Sequence, residues 1–384
     1  MQIDMHFHAT HAVALLAGLS EEDALIVATA AEFVDDADYK NSGKNKNREM
    51  LFAICAGHHP AGAATVSLFH PEGHRLVWVP FHFLPGGEGN TLEEKLLCVK
   101  NSKIANQMFE HHTEQTSKNF YWHLVGIASH VYLDTFSHYG FNGIVSELNR
   151  VVQKSIDLKV HDTKMREYIL KKAKEFSRKY GAEISNNKLG SGFCAKCLKV
   201  LVYPITINLW NRYVLPIVGE TGSNGLGHGA VATFPDRPYL VWSFRYEQPR
   251  GKNNSAESGE RNNPKTFLEG LENLHGHLAK AANRKYPETA KPRDFFQVKE
   301  EMANIISREA TGEDRCNLWK EFIRKHFGIE SEYRGDDWNK EKDEFENKHP
   351  SEDVGHCYKF HQAAAIHRWY VMKDLLPEHG IYCL

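Results

Sequence analysis

The sequence predicts a mainly α-helical protein, a multi-helix bundle with a metal-binding core and a few short β-strands. Three observations lead to that class. Long stretches repeat apolar residues at helical spacing, only two runs have the composition of strands, and the 23 histidines gather beside acids and beside one another. At 384 residues the chain is longer than one compact domain usually is. We expect a helical metal-binding core with short strand insertions over residues 1–250, a flexible insertion over 251–264, and a helical region over 265–384 packing on the core. With 47 basic and 49 acidic residues the field has no strong sign. That excludes a broad electrostatic attraction to nucleic acid and leaves only a local basic groove.

Along the chain, Ser20 followed by Glu21, Glu22 and Asp23 is an N-cap with acids in the first turn, opening a buried helix that ends near Asp35-Asp36. Residues 40–48 are polar, basic and glycine-containing, an exposed loop. Residues 75–83 are rich in valine and aromatics and are closed by Leu84-Pro85-Gly86-Gly87, the pattern of a short strand and turn. Helices resume at Thr91, with long ones over 116–139 and 151–180. Gly-rich loops follow at 181–192 and 219–229, then a second strand-like run at 238–246. Residues 248–264 have the composition of a flexible insertion, and the tail beyond is helical through 360–376.

The opening Met1-Gln2-Ile3-Asp4-Met5-His6-Phe7-His8 has neither the basic start nor the apolar core that directs export. The most apolar stretch, 200–218, is interrupted by Pro204, Asn208, Asn211, Arg212 and Pro216, too often for a membrane span. Cytoplasmic residence without a transmembrane segment is the expectation. Seven cysteines then read as free thiols rather than a disulfide framework. Cys194 and Cys197 form a lone CxxC, which lacks the second pair of ligands that a structural zinc site needs.

The chemistry concentrates in residues 123–141, HLVGIASHVYLDTFSHYGF. At roughly 100° per residue, His123, His130, Asp134 and His138 fall within an arc of about 100° on one helical face. The neighbours are apolar, so this stripe is buried, where an uncompensated carboxylate is costly. His130 and His138 are about 12 Å apart at their backbones, so two ions with Asp134 between them fit better than one. The competing reading is a polar core network of histidines hydrogen-bonded to Asp134.

Other candidates are weaker. Asp35 and Asp36 at a helix C-terminus oppose its macrodipole unless a cation offsets them. His82 alternates with Phe81 and Phe83 on the expected strand, facing away from that apolar pair. His228 sits between glycines, where backbone can approach a ligand. His58, His59, His70, His74, His111 and His112 read as surface or packing residues. His361 and His367, six positions apart, point to different faces, so at most one joins the site.

The H-x-x-x-D pair on a buried helix, with a histidine downstream, resembles the zinc-dependent phospholipase C and single-strand nuclease superfamily. A closer resemblance is to an uncharacterised bacterial branch of it. The matching segments are Asp4 and His6; Val34-Asp35-Asp36; Phe81-His82-Phe83-Leu84-Pro85-Gly86; His130, Asp134, His138, Gly140 and Phe141; Gly227-His228-Gly229; and Pro235-Asp236-Arg237-Pro238-Tyr239. They span roughly residues 1–245 and, weakly, the last helix.

The resemblance implies an all-helical zinc centre of two or three ions, or another first-row divalent metal, that activates water against a phosphodiester. Substrates would be a small phosphodiester, a lipid head group or a nucleic acid. Residues and resemblance together give Asp4, His6, Asp35, Asp36, His82, His123, His130, Asp134, His138 and His228 as metal ligands, with Asp36, His130 and Asp134 catalytic. Exported members of the superfamily use a processed N-terminal amine as a ligand; this chain keeps a Met start, so Asp4 or His6 would supply that position. The spacing from Asp134 to the next histidine is shorter than in the nucleases, and no second H-x-x-x-D or H-x-x-x-E pair follows.

Two further readings stand beside this one. His6-Phe7-His8 is also the H-x-H that ends the first strand of amidohydrolase barrels, but a barrel needs a regular strand-helix series that the chain lacks. A metal-stabilised, non-catalytic binding or regulatory protein would carry the same ligands with no open coordination position.

Overall fold

A computed structural model describes residues 1–37, 42–44, 50–57, 73–186, 226–248, 258–344 and 355–382. The chain opens in a π-helical segment, Asp4–Ala9, that runs directly into α1, Thr10–Leu16. Ser20 caps α2, Glu21–Asp36, by accepting from the Asp23 amide. The short strands β1, Ser42–Lys44, and β2, Met50–Phe52, pair antiparallel. A second π-helical segment, His74–His82, follows. Thr91 and Glu94 form a reciprocal capping box at α3, Leu92–Lys95. Then come α4, Lys103–Thr113, and α5, Tyr121–His138. Strand β3, Asp157–Lys159, precedes α6, Thr163–Asn186; β4 is Val241–Arg245 and β5 is Ser258–Asn262. The tail is helical: α7, Asn263–Lys285; α8, Lys299–Ile306; α9, Gly312–Phe327; α10, Gly335–Glu344; and α11, Gly355–Tyr370. The fold is mainly helical, with a small antiparallel sheet in the order β3-β4-β5.

All eighteen residues of α5 are buried. A helix apolar on every side belongs in the middle of a domain, and α2, α4, α7 and α11 all pack against it. One apolar core runs from Met5 to Ile381, so the N-terminal helices and the C-terminal tail share it. A smaller cluster, including Phe141, Leu158, Ile169, Phe234, Trp242 and Phe244, fills the space between the sheet and α6.

The approach of α2 to α5 depends on Gly126. A Cβ there would meet the Val27 carbonyl oxygen at 2.5 Å and the Ala30 Cβ at 2.6 Å. Gly126→Ala therefore forces the two helices apart in a packed interior. We expect a loss of about 1–3 kcal/mol in denaturant unfolding, and an unchanged midpoint would show that the interface gives way freely.

Several expectations change. The run expected as a strand over 75–83 lies in the π-helical segment His74–His82 and its cap Phe83: Phe81, His82 and Phe83 are all buried, so they do not alternate between two faces. The valines and aromatics there report burial rather than extension. The helix expected over 151–180 starts only at Thr163, after β3. The end of the expected flexible insertion forms β5, held along β4. His6 and His8 lie on a helix, not a strand, which removes the barrel motif. Cys194 and Cys197 lie outside the described residues, as do His58, His59 and His70. Among the described residues no helix is long and apolar enough to cross a membrane.

Candidate metal centre

Helix α5 sends His130, Asp134 and His138 from one side into a space bounded by the start of the chain, the end of α2, the end of the π-helical segment His74–His82, and the loop of residues 226–240. Among the described residues three groups there can hold a metal ion: His6, His130 and Asp134; Asp35, His82 and His130; and His138, His228 and Asp236. Within each group the ligand atoms lie within 4.8 Å of one another.

The imidazoles are oriented from behind. The Nε2 of His82 donates to the Ala56 carbonyl at 2.7 Å, the Nδ1 of His130 to the Ala31 carbonyl at 2.7 Å, the Nδ1 of His138 to the His82 carbonyl at 2.7 Å, and the Nδ1 of His228 to the Ala232 carbonyl at 2.6 Å. A carbonyl only accepts, so each outer nitrogen carries a hydrogen and the other nitrogen of each ring is turned inward. Those inner nitrogens face carboxylates. His82 Nδ1 and His130 Nε2 are each 3.3 Å from Asp134 Oδ2, and 3.3 Å from each other. His138 Nε2 is 2.9 Å from Asp236 Oδ1, and His228 Nε2 is 3.4 Å from Asp236 Oδ2.

Lone pairs facing one another at these distances repel unless a proton or a metal ion lies between them. For His138 a proton serves: burial works against it, but Asp134 and Asp236 raise its pKa. His82 is different, because burial holds its pKa below the usual value despite Asp134 and Asp35. His6 is fully buried, stacked on His130 at 3.8 Å, with both ring nitrogens lacking a hydrogen-bond partner, although its Nε2 is 3.2 Å from Asp134 Oδ1. Burial, with His130 and the Met1 amine adding to it, brings the His6 pKa down to about 3. Burial pushes the Asp134 carboxyl up, yet His138, the Met1 amine, His130 and His6 together hold it well below its usual value. An ionised carboxylate thus faces neutral imidazole lone pairs, the arrangement of a cation site.

A further cation in this space is the Met1 amine, 2.9 Å from Asp134 Oδ1 and 3.5 Å from Asp236 Oδ1. Burial lowers its pKa, but Asp134, Asp236 and Asp35 raise it to about 11.

Backbone devices hold the loop that carries His228 and Asp236. Gly227 has φ +53°, and a Cβ there would meet Phe83 Cζ at 2.7 Å, so glycine lets His228 approach. Ala232 also has positive φ, +48°, and its carbonyl fixes His228. Asn263 Nδ2 donates to the Phe234 and Arg237 carbonyls, while Ser137 Oγ donates to Asp236 Oδ1. Arg261 caps the end of α5 by donating to the Ser137 and Tyr139 carbonyls.

Of the expected ligands, the structure brings together His6, Asp35, His82, His130, Asp134, His138 and His228. It does not bring in Asp4, which is buried against Arg315 at 2.7 Å. Asp36 is exposed and accepts from the Tyr333 hydroxyl at 2.6 Å. His123 pairs with His356 of α11 at 3.1 Å, two turns away from His130 along α5. Asp236 completes the third group; it stood in the Pro-Asp-x-Pro-Tyr segment, which was the signal for it. Neither His361 nor His367 enters a group. His367 Nε2 donates to the Pro80 carbonyl and its Nδ1 accepts from His112 Nε2, so this pair braces the segment that carries His82. His8 and His11 converge on the Ser331 hydroxyl instead.

Residues 1–375 match a family of unknown function, DUF6765, and the chain belongs to that family. No curated protein and no solved structure matches the chain.

Proposed function

We propose that this protein is a zinc-dependent hydrolase of phosphodiester substrates. The observation that carries the reading is the set of inward-turned imidazoles, each anchored through its outer nitrogen on a backbone carbonyl and facing an aspartate. Nitrogen and carboxylate donors suit zinc and other first-row divalent ions. Because the Nδ1 of His130 is committed to the Ala31 carbonyl, only its Nε2 can ligate. The first two groups therefore share one ligand atom, and two ions fit the ligands better than three, with Asp134 between them. When bound, zinc supplies an activated water and charge stabilisation for a phosphoryl group under attack. The chain's own residues hold the ligands in one tautomer, keep Asp134 ionised and shield the centre from bulk water.

The third group is the least enclosed of the three. His228 and Asp236 have side chains 12% and 13% exposed, against 0–1% for His130 and Asp134. The same loop lines a cavity of about 280 Å³, shared with Leu158, Arg166 and Leu170. That cavity is lined by residues beside the ligands of this loop and by none of the ligands themselves. The resemblance to the phospholipase C and nuclease superfamily points to the same reaction class.

We expect the zinc-loaded protein to cleave bis-nitrophenyl phosphate slowly, with activity abolished by chelation and by His130→Ala. Phospholipids, cyclic nucleotides and single-stranded nucleic acid then identify the substrate class. A second reading is a non-catalytic, metal-stabilised protein, favoured by the near-complete burial of the first two groups. No turnover of any of these substrates by metal-loaded protein would leave that second reading in place of the hydrolase.

A further inference from the structure

We propose that Arg237 is an anion-binding residue that holds a phosphate-type group where the loop of residues 226–240 meets α6. The proposal rests on neither the metal centre nor catalysis. Among the described residues three arginines are buried: Arg237, Arg261 and Arg315. A buried guanidinium keeps its charge and needs something of opposite sign beside it. Arg315 has Asp4 at 2.7 Å. Arg261 has the Ser137 and Tyr139 carbonyls at the negative end of α5, and the face of the Tyr139 ring at 3.8 Å. Arg237, only 4% exposed, has neither.

Its Nη1 donates to the Tyr239 hydroxyl at 3.3 Å and its Nη2 to the Thr233 hydroxyl at 3.2 Å, both long for such bonds, while its Nε is buried with no partner. The Tyr168 ring of α6 is 5.8 Å away, near the limit at which a ring attracts a cation. Asp236, the preceding residue, gives its oxygens to His138, His228, Ser137 and the Met1 amine instead. Because a guanidinium only donates, the Tyr239 and Thr233 oxygens must accept, which leaves each hydroxyl hydrogen to be given elsewhere. Donors of three side chains thus surround one uncompensated positive charge. A second cation, Lys172 of α6, is paired with Glu175 and stands 6.0 Å from the same Tyr168 ring, where its charge repels that of Arg237. Water can take the hydrogens but not the charge. A phosphate group takes both, with oxygens directed several ways and two of them matching the guanidinium fork. Thr233 and Tyr168 are half-buried and Lys172 is exposed, so an anion reaches Arg237 from the α6 side.

The test is a calorimetric titration of the full chain with inorganic phosphate, in chelator so that no metal takes the anion. Saturable binding at one site is expected. Arg237→Gln is expected to weaken it about tenfold or more, and Thr233→Val about threefold. Stability separates this role from a structural one. Removing an uncompensated buried charge costs nothing, so in phosphate-free buffer Arg237→Gln is expected to unfold at a denaturant concentration no lower than wild type. Phosphate then raises the wild-type midpoint and not that of the variant. Absence of phosphate binding by wild type would overturn the proposal, as would wild-type affinity in Arg237→Gln. An equal loss of stability with and without phosphate also overturns it, since that marks a merely structural role. Should Arg237→Gln fail to fold, Thr233→Val carries the test, and unchanged affinity there is the overturning result. Tighter binding of glycerol phosphate or adenosine monophosphate than of inorganic phosphate identifies a phosphate ester as the occupant; the reverse order identifies free phosphate.

Discussion

Asp134→Asn is expected to lose metal and stability together, while His161→Ala, at an exposed position, loses neither. Both oxygens of Asp134 are engaged: Oδ1 by the Met1 amine and His6, Oδ2 by His82 and His130, with the residue 1% exposed. Asparagine keeps the size but removes the charge that pairs with the buried Met1 amine. Breaking one side of a buried charge pair costs about 3–5 kcal/mol, and this much is expected even in chelator. In wild type, metal at a thousand times its dissociation constant adds about 4 kcal/mol, and the variant is expected to gain little of it. Elemental analysis of protein purified without added metal, with denaturant unfolding in the presence and absence of chelator, measures both parts. We expect more than one ion per wild-type chain. A metal-free wild type that is fully folded and unaffected by added metal would reduce the centre to a polar core network. Wild-type metal content and stability in the variant would remove Asp134 from it.

The centre was legible in the sequence where a regular period links residues. Helix α5 places His130, Asp134 and His138 on one face because four residues bring a side chain back to nearly the same azimuth. The same period misplaces His123: it shares the azimuth but sits about 10 Å further along the axis, where its neighbours are His356 and Trp338. Azimuth is local information; axial reach depends on which elements arrive from elsewhere. Asp35 and Asp36 are likewise adjacent in sequence but about 100° apart on the helix, so one faces His82 and the other Tyr333 at the surface. No local pattern tells which is which. His82 was found only through a motif resemblance, since a fully buried π-helical turn leaves no polar face to betray its period. The pairing of Asp4 with Arg315, 311 residues apart, and the arrival of Asp236 beside His138 are products of chain topology. The outer carbonyls that set each tautomer are invisible for the same reason, because a backbone acceptor has no sequence identity.

Acid is expected to unfold the chelated protein well above the pH at which its carboxylates protonate. Burial holds His6 and His8 at about 3 and His11 and His367 at about 4, and it places His112 and His123 well below the usual imidazole value. In the unfolded chain each titrates near 6.5. As pH falls below 6.5 the unfolded state therefore binds protons that the folded state refuses, and stability drops until the folded pKa is reached. Each such histidine contributes roughly 1.4 kcal/mol per pH unit, so six of them exceed a typical stability of about 5–15 kcal/mol within about two units. His138 has the opposite sign: its raised pKa gives stability that is present below 6.5 and lost as pH rises. Among the described residues it stands against ten histidines whose pKa is lowered. Asp134 and Asp236 are held well below the carboxylate range, so their contribution is present above about 4 and fades only under more acid conditions. The expected result is a cooperative loss of structure near pH 5 with chelator present, read by circular dichroism and tryptophan fluorescence. A flat stability between pH 7 and 4.5 would mean that these histidines, of which His6 alone belongs to the metal centre, take up protons in place.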